Sequence, residues 1–128
     1  MRSKGTTLRS TVEQSIRKIS QNANVIEALA CFPSSAPIFT GHFPGRPLVP
    51  AVYQMALCIM AVAKYYDGKF VRVRRSRFLA PCVPDVCYNI KISVEDTAAS
   101  FVAGCTNRQG EVIHSKIVLS YEKPAFQD

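Results

Sequence analysis

The chain has no C-x-x-C pair, no apolar run long enough to cross a bilayer and no internal repeat. Its five cysteines, Cys31, Cys58, Cys82, Cys87 and Cys105, are odd in number and unpaired in spacing, which argues against a disulfide framework and against a metal site. A reducing, cytoplasmic setting fits them best. The longest apolar stretch, Leu48 to Ala63, is interrupted by Pro50 and Gln54 and falls short of the roughly 20 residues that about 30 Å of hydrocarbon demands. It reads as a buried helix, and no membrane association is expected. Acids are scarce: nine Asp and Glu stand against sixteen Lys and Arg, a formal charge of +7. That imbalance favours acidic partners such as nucleic acid, anionic lipid or an acidic carrier protein. Nucleic acid is the poorest of these, because only Phe70 and Phe78 flank the cationic run Arg72, Arg74, Arg75 and Arg77, where stacking would need interleaved aromatics.

What is present makes one domain. With 128 residues, 48% of them apolar and 20% charged, the chain fills a single core, and a second would need roughly 100 residues more. Residues 1–23 form an N-terminal extension, 24–123 the main domain and 124–128 a tail. The extension carries Arg2, Lys4, Arg9, Arg17 and Lys18 among Ser and Thr, with Glu13 its only acid. Two readings follow: an organellar transit peptide, or a short docked helix with Leu8, Val12, Ile16 and Ile19 on one face and Ser10 with Glu13 as a capping box.

Beyond it, Val25 to Phe32 reads as a strand. Pro33, Pro37, Pro44, Pro47 and Pro50 then punctuate a loop. Pro50 suits the first helical position, and Ala51 to Tyr66 runs as a helix with only Gln54 and Lys64 strongly polar. Strands are expected over Lys69 to Phe78, Val86 to Glu95, Ser100 to Thr106 and Glu111 to Tyr121, the last two joined through Asn107 to Gly110. Four consecutive strands with short connections favour an antiparallel sheet covered by the one apolar helix, an α+β arrangement.

The chemistry sits where the loop meets the helix. His42 lies eight residues before Pro50, so an imidazole is held near a helix N-terminus whose free N–H groups attract anionic oxygen. A thioester carbonyl bound to the Ala51 or Val52 amide would be polarised, acidifying the adjacent carbon, and neutral His42, with an ordinary pKa of about 6.5, would take that proton. A lone loop histidine also has a plainer reading, as a structural or merely exposed side chain.

The run Gly41-His42-Phe43-Pro44-Gly45-Arg46-Pro47-Leu48-Val49-Pro50 resembles the signature of the FabZ/FabA-type 3-hydroxyacyl-(acyl carrier protein) dehydratases. Arg77-Phe78-Leu79-Ala80-Pro81-Cys82-Val83-Pro84-Asp85 is similar to that family's later turn, and Gly110-Glu111-Val112 to its last hairpin, so the likeness spans about residues 24 to 121. It implies a hot-dog fold, a long central helix wrapped by a curved antiparallel sheet. It also implies homodimers with active sites at the subunit interface, higher oligomers or a heterodimer being variants. The substrate would ride on the phosphopantetheine of an acyl carrier protein, with no cofactor and no metal. His42 matches the base, and Phe43, Met55, Ile59 and Met60 would line the acyl tunnel.

The same resemblance exposes a departure. The family's acid falls at Ala56, and the glutamine that accompanies it at Met60; no Asp or Glu stands anywhere between Ala51 and Tyr66. Loss of a general acid costs about 10² to 10⁴ in rate, roughly 3 to 5 kcal/mol. Tyr53 is a substitute donor or a core aromatic; Glu27 and Asp85 are the nearest acids outside the helix, read as solvated. Cys58 reads as an inert buried thiol and His114 as an exposed strand residue. The arginine run is either a solvated face or the carrier-docking patch. Three functions stay open: a dehydratase in fatty-acid, polyketide or aryl-polyene synthesis, a catalytically silent acyl-binding or partner subunit, and a hot-dog thioesterase.

Overall fold

The computed structural model describes residues 8–36, 39, 47–66, 70–95 and 100–122. The elements run α1 (Leu8–Ser15), β1 (Ile16–Asn22), β2 (Val25–Cys31), α2 (Ala51–Tyr65), β3 (Phe70–Phe78), β4 (Cys87–Glu95), β5 (Ser100–Asn107) and β6 (Ile113–Glu122). All six strands join one antiparallel sheet in the order β1-β2-β4-β5-β6-β3. The helix α2 touches β2, β4, β6 and the far edge strand β3, so the sheet curls around it, which is the hot-dog architecture.

Period-two patterning sets the two sheet faces. In β4, Tyr88, Ile90, Ile92 and Val94 are buried while Asn89, Lys91, Ser93 and Glu95 point the other way. Their neighbours Phe101, Ala103 and Cys105 in β5 and Ile117 and Leu119 in β6 continue the inner face. Against it α2 packs Leu57, Cys58, Ala61 and Val62. Turns use the backbone each demands: Gly110 takes φ 75 in the β5–β6 turn, a left-handed conformation that glycine adopts without a Cβ clash.

Several sequence expectations need correction. The extension is not helical throughout. The docked helix exists as α1, with Val12 at 0% exposure, but Ile16–Asn22 is an edge strand paired with β2. The three-residue spacing of Ile16 and Ile19 mimics a helical face. A register shift between Ile16 and Lys18 inserts one extra residue into the strand, and that bulge returns both isoleucines to the core side. The sheet therefore begins before residue 24. Ser10 lies inside α1 rather than capping it, and Glu13 pairs with Arg9 at 3.3 Å one turn away. Pro50 precedes the helix as its N-cap, with φ −63 and ψ 149, instead of opening it. The helix α2 is wrapped as expected except along one stripe: Val52 is 50% exposed, and Ala56, Ile59 and Ala63, on the same helical stripe, are half-buried among the described residues.

Candidate functional site

The N-terminus of α2 is held by bonds from three directions. The Val49 N–H donates to the Cys82 carbonyl at 2.9 Å, and the Tyr53 N–H to the Pro50 carbonyl at 3.0 Å. The Gln54 side-chain Nε2 reaches back to the Val49 carbonyl at 3.5 Å. Among the described residues the Ala51 and Val52 N–H groups meet no acceptor. They are the uncommitted donors that every helix start presents, and the helix dipole adds partial positive charge there. An open apolar cleft of about 270 Å³ lies beside them, lined by Leu48, Val49, Ala51, Phe78, Leu79 and Pro81 among others. Leu79 is 52% exposed at its rim.

The far wall of this cleft is a strapped loop. The Leu79 and Ala80 N–H groups donate to the His114 carbonyl at 2.8 and 3.2 Å, and Val83 N–H donates to the Tyr88 hydroxyl at 2.9 Å. The His114 Nδ1 lies 3.0 Å from the Pro81 carbonyl, so it carries the proton there, and the ring meets Tyr88 edge-on at 4.8 Å. His114 is thus a half-buried strap, not the exposed strand residue its phase with Lys116 implies. Asp85 stands at φ 64 and accepts from the Ser34 N–H at 2.9 Å. Hydrogen bonding from the Ser34 side chain first, and from its N–H second, holds the Asp85 carboxyl below the usual range.

Of the site residues expected from sequence, His42 and Phe43 lie outside the described residues, as do 1–7 of the extension and the tail. Ala51 and Val52 open α2 as expected. Ala56 shares an apolar stripe of α2 with Val52, Ile59 and Ala63 and is half-buried at the margin of the core; it is the position where the family resemblance expects the acid. Met55, Ile59 and Met60 sit half-buried on the core's margin. The Tyr53 ring packs edge-on against Phe32 with centroids 6.4 Å apart, the core-aromatic alternative. Cys58 is inert: burial first, and the neighbouring Cys105 second, push its thiol up to about 12. Glu27 is exposed on β2 opposite Lys91, a solvated strand residue.

The arginines occupy the edge strand β3. A register shift between Val73 and Arg75 leaves Arg74 as the extra residue, and the resulting change of phase puts Arg72, Arg75 and Arg77 on the outer face together. Arg75 pairs with Val118 and Arg77 with Lys116, so the cationic surface continues onto β6. No carboxylate among the described residues pairs with Arg74, Arg75 or Arg77.

A helix start with free N–H groups thus borders a mainly apolar cleft, and the arginines of β3 lie apart from it on the outer sheet face. A family model described as ApeI-like, ApeI dehydratase, matches residues 18–116. The chain belongs to the ApeI-like dehydratase family. Similar solved structures include the dehydratase heterocomplex ApeI:P from Xenorhabdus doucetiae, 19% identical, covering 82% of this chain and 94% of that one at TM-score 0.65. A trans-AT polyketide synthase dehydratase domain from Brevibacillus brevis is 17% identical over 88% of this chain and 45% of that one, at TM-score 0.66. Zebra fish thioesterase superfamily member 2 shares the fold at 11% identity and TM-score 0.57, covering 86% of this chain and 83% of its own. No curated protein matches. The ApeI-like match begins at Lys18, inside β1, in agreement with a sheet that starts before residue 24. It places the chain among hot-dog proteins of dehydratase type.

Sequence reasoning missed Gln54 and Ser115, two polar side chains turned into the core. The signal for Gln54 was available: it is the one strongly polar residue on the helical face that carries Leu57, Cys58 and Ala61. Ser115 had a sign too, since it alternates in phase with Ile117 and Leu119 on the inner face of β6.

Proposed function

We propose that this ApeI-like protein removes water from 3-hydroxyacyl thioesters carried on the phosphopantetheine of an acyl carrier protein, giving the trans-2-enoyl product without metal or cofactor. The uncommitted Ala51 and Val52 amides beside an apolar cleft are the observation that carries the reading. The thioester carbonyl accepts from them, and its negative charge is stabilised as the C2 proton leaves to His42. The C2 electron pair forms the double bond, and the C3 hydroxyl departs as water after receiving a proton. FabZ-like enzymes take that last proton from the acid whose place Ala56 holds, and Tyr53 is this chain's substitute candidate. Arg72, Arg74, Arg75 and Arg77 would receive the acidic carrier, and the free cysteines suit a reducing cytoplasm.

A second reading has a specific support. Ala56 lies on an apolar helix stripe that the described residues leave half-covered, and the Xenorhabdus relative is a heterocomplex. A partner chain laid on this stripe would bring its residues to the vacant position, making this chain one subunit of a mixed dimer, active or silent. The thioesterase reading rests on fold likeness alone.

Incubation of the purified chain with a 3-hydroxyacyl carrier thioester, following enoyl formation and free thiol, separates the three. Enoyl product lost in His42→Ala supports dehydration, thiol release supports hydrolysis, and silence supports the partner subunit. Tyr53→Phe tests the substitute donor. Gain of dehydration in Ala56→Glu would show that only the acid was missing.

A further inference from the structure

A small cavity is enclosed between α2 and the sheet, lined by Gln54, Leu57 and Cys58 of the helix and by residues of all four central strands, including Tyr88, Cys105 and Ser115. It offers about 20 Å³ to the centre of a water-sized sphere, against the roughly 10 to 15 Å³ that one water needs. Two polar atoms sealed from solvent belong to residues that line it: Gln54 Oε1, with no partner among the described residues, and Ser115 Oγ, which meets only the Cys105 thiol, a weak hydrogen-bonding group. Ser115 as a whole is 1% exposed. The orientation of the Gln54 amide follows from its other end. The atom facing the Val49 carbonyl must be the NH₂, since two oxygens would repel, so the acceptor is turned inward. A buried amide oxygen without a donor costs about 1 to 3 kcal/mol, and a buried hydroxyl served only by a thiol is little better off, unless something bridges them.

We propose that this cavity is a binding site for one water molecule shared by Gln54 and Ser115, and that through it Gln54 acts as a positioning residue for the first turn of α2. The water donates to Gln54 Oε1 and exchanges a second hydrogen bond with Ser115 Oγ, with the surrounding thiols as weak further partners. Held inward at that end, the Gln54 carboxamide keeps its NH₂ on the Val49 carbonyl. The Val49 N–H is in turn tied to the Cys82 carbonyl. The bridge therefore joins β6, α2 and the loop that walls the cleft, and it stands whether or not the dehydratase reading does.

A crystal structure at a resolution that shows ordered water is the first test. One fully enclosed peak within hydrogen-bonding distance of both Gln54 Oε1 and Ser115 Oγ is expected. An empty cavity, or a Gln54 side chain turned out to solvent, overturns the site. Hydrogen exchange tests the positioning role. In Ser115→Ala the Val49 amide should exchange about tenfold faster, the size of a 1.4 kcal/mol loss, while the Val62 amide in mid-helix keeps its rate. Gln54→Leu should do the same, and Gln54→Glu, which retains the inward acceptor but loses the donor to Val49, should not rescue it. Uniform acceleration at Val49 and Val62 would mean general destabilisation and would overturn the positioning role; so would unchanged exchange at both. If enoyl formation is found, Gln54→Leu should lower kcat with KM held, as misplaced amides predict. Absence of activity in the wild type would count against the proposed function alone.

Discussion

Asp85 shows how one side chain can carry a turn that its backbone disfavours. Its φ of 64 lies where glycine is at ease, and its carboxylate meets the cost by accepting the Ser34 N–H, joining the loop after β2 to the wall of the cleft. Asparagine tolerates the same conformation and keeps an acceptor. Asp85→Asn should therefore lower the melting temperature only slightly at neutral pH, where it keeps an acceptor but loses the charge, and Asp85→Ala should lower it by a few degrees, as followed by circular dichroism. Because its pKa is lowered, the charged form favours the fold above the ordinary carboxylate range, and that share is lost as pH falls through it. Cys58 works in the opposite sense. Its thiol is pushed up from 9.0 to about 12, so the unfolded chain releases a proton that the folded chain keeps. Stability should fall as pH rises from about 9 toward 12, by up to about 1.4 kcal/mol per unit from this group. Urea titrations between those limits should show a shallower decline for Cys58→Ala than for the wild type.

Among the elements, α1 and β1 decide whether the N-terminal segment is ornament or structure. Val12 is fully enclosed, Thr11 and Ser15 are buried beside it, and Ser15 Oγ–H closes the helix on the Val12 carbonyl at 2.7 Å. A docked helix of eight residues is far too short to hold itself together in water, so its order comes from that burial. Val12→Ala should cost about 2 kcal/mol, measured as a shift of the denaturation midpoint with unchanged slope. If the extension were dispensable, the midpoint would not move.

For the molecule as a whole, the apolar stripe of α2 and the cationic outer sheet face are the two surfaces still to be matched with partners. Val52, Ala56, Ile59 and Ala63 follow helical spacing along a stripe that the described residues leave half-covered, and a second chain is the natural cover for such a face. Sedimentation of the wild type should give an assembly larger than one chain, alone or with a sister subunit. Ile59→Glu should dissociate it, because a carboxylate would be buried without a partner. A wild type that stays monomeric with and without candidate partners, yet dehydrates substrate, would remove the shared-site idea.

The fold class, the central helix and five of the strands could be read from the chain because their signals are local: alternation in β4, the proline-to-helix junction at Pro50, the turn at Asn107 to Gly110. Of the candidate site, only the helix start at Ala51 and Val52 could be read from the residues themselves, while the acid's place at Ala56 rests on the family resemblance. His42, its other half, falls among residues 40–46, which are not described. Tertiary structure decided the rest. Ile16 and Ile19 share a spacing that serves a helix or a bulged strand equally, and only the open edge of β2 selects the strand. Arg72, Arg75 and Arg77 share a face only because Arg74 bulges out of the ladder. Gln54 and Ser115 are remote in sequence, and it is the curl of the sheet around α2 that closes both into one cavity.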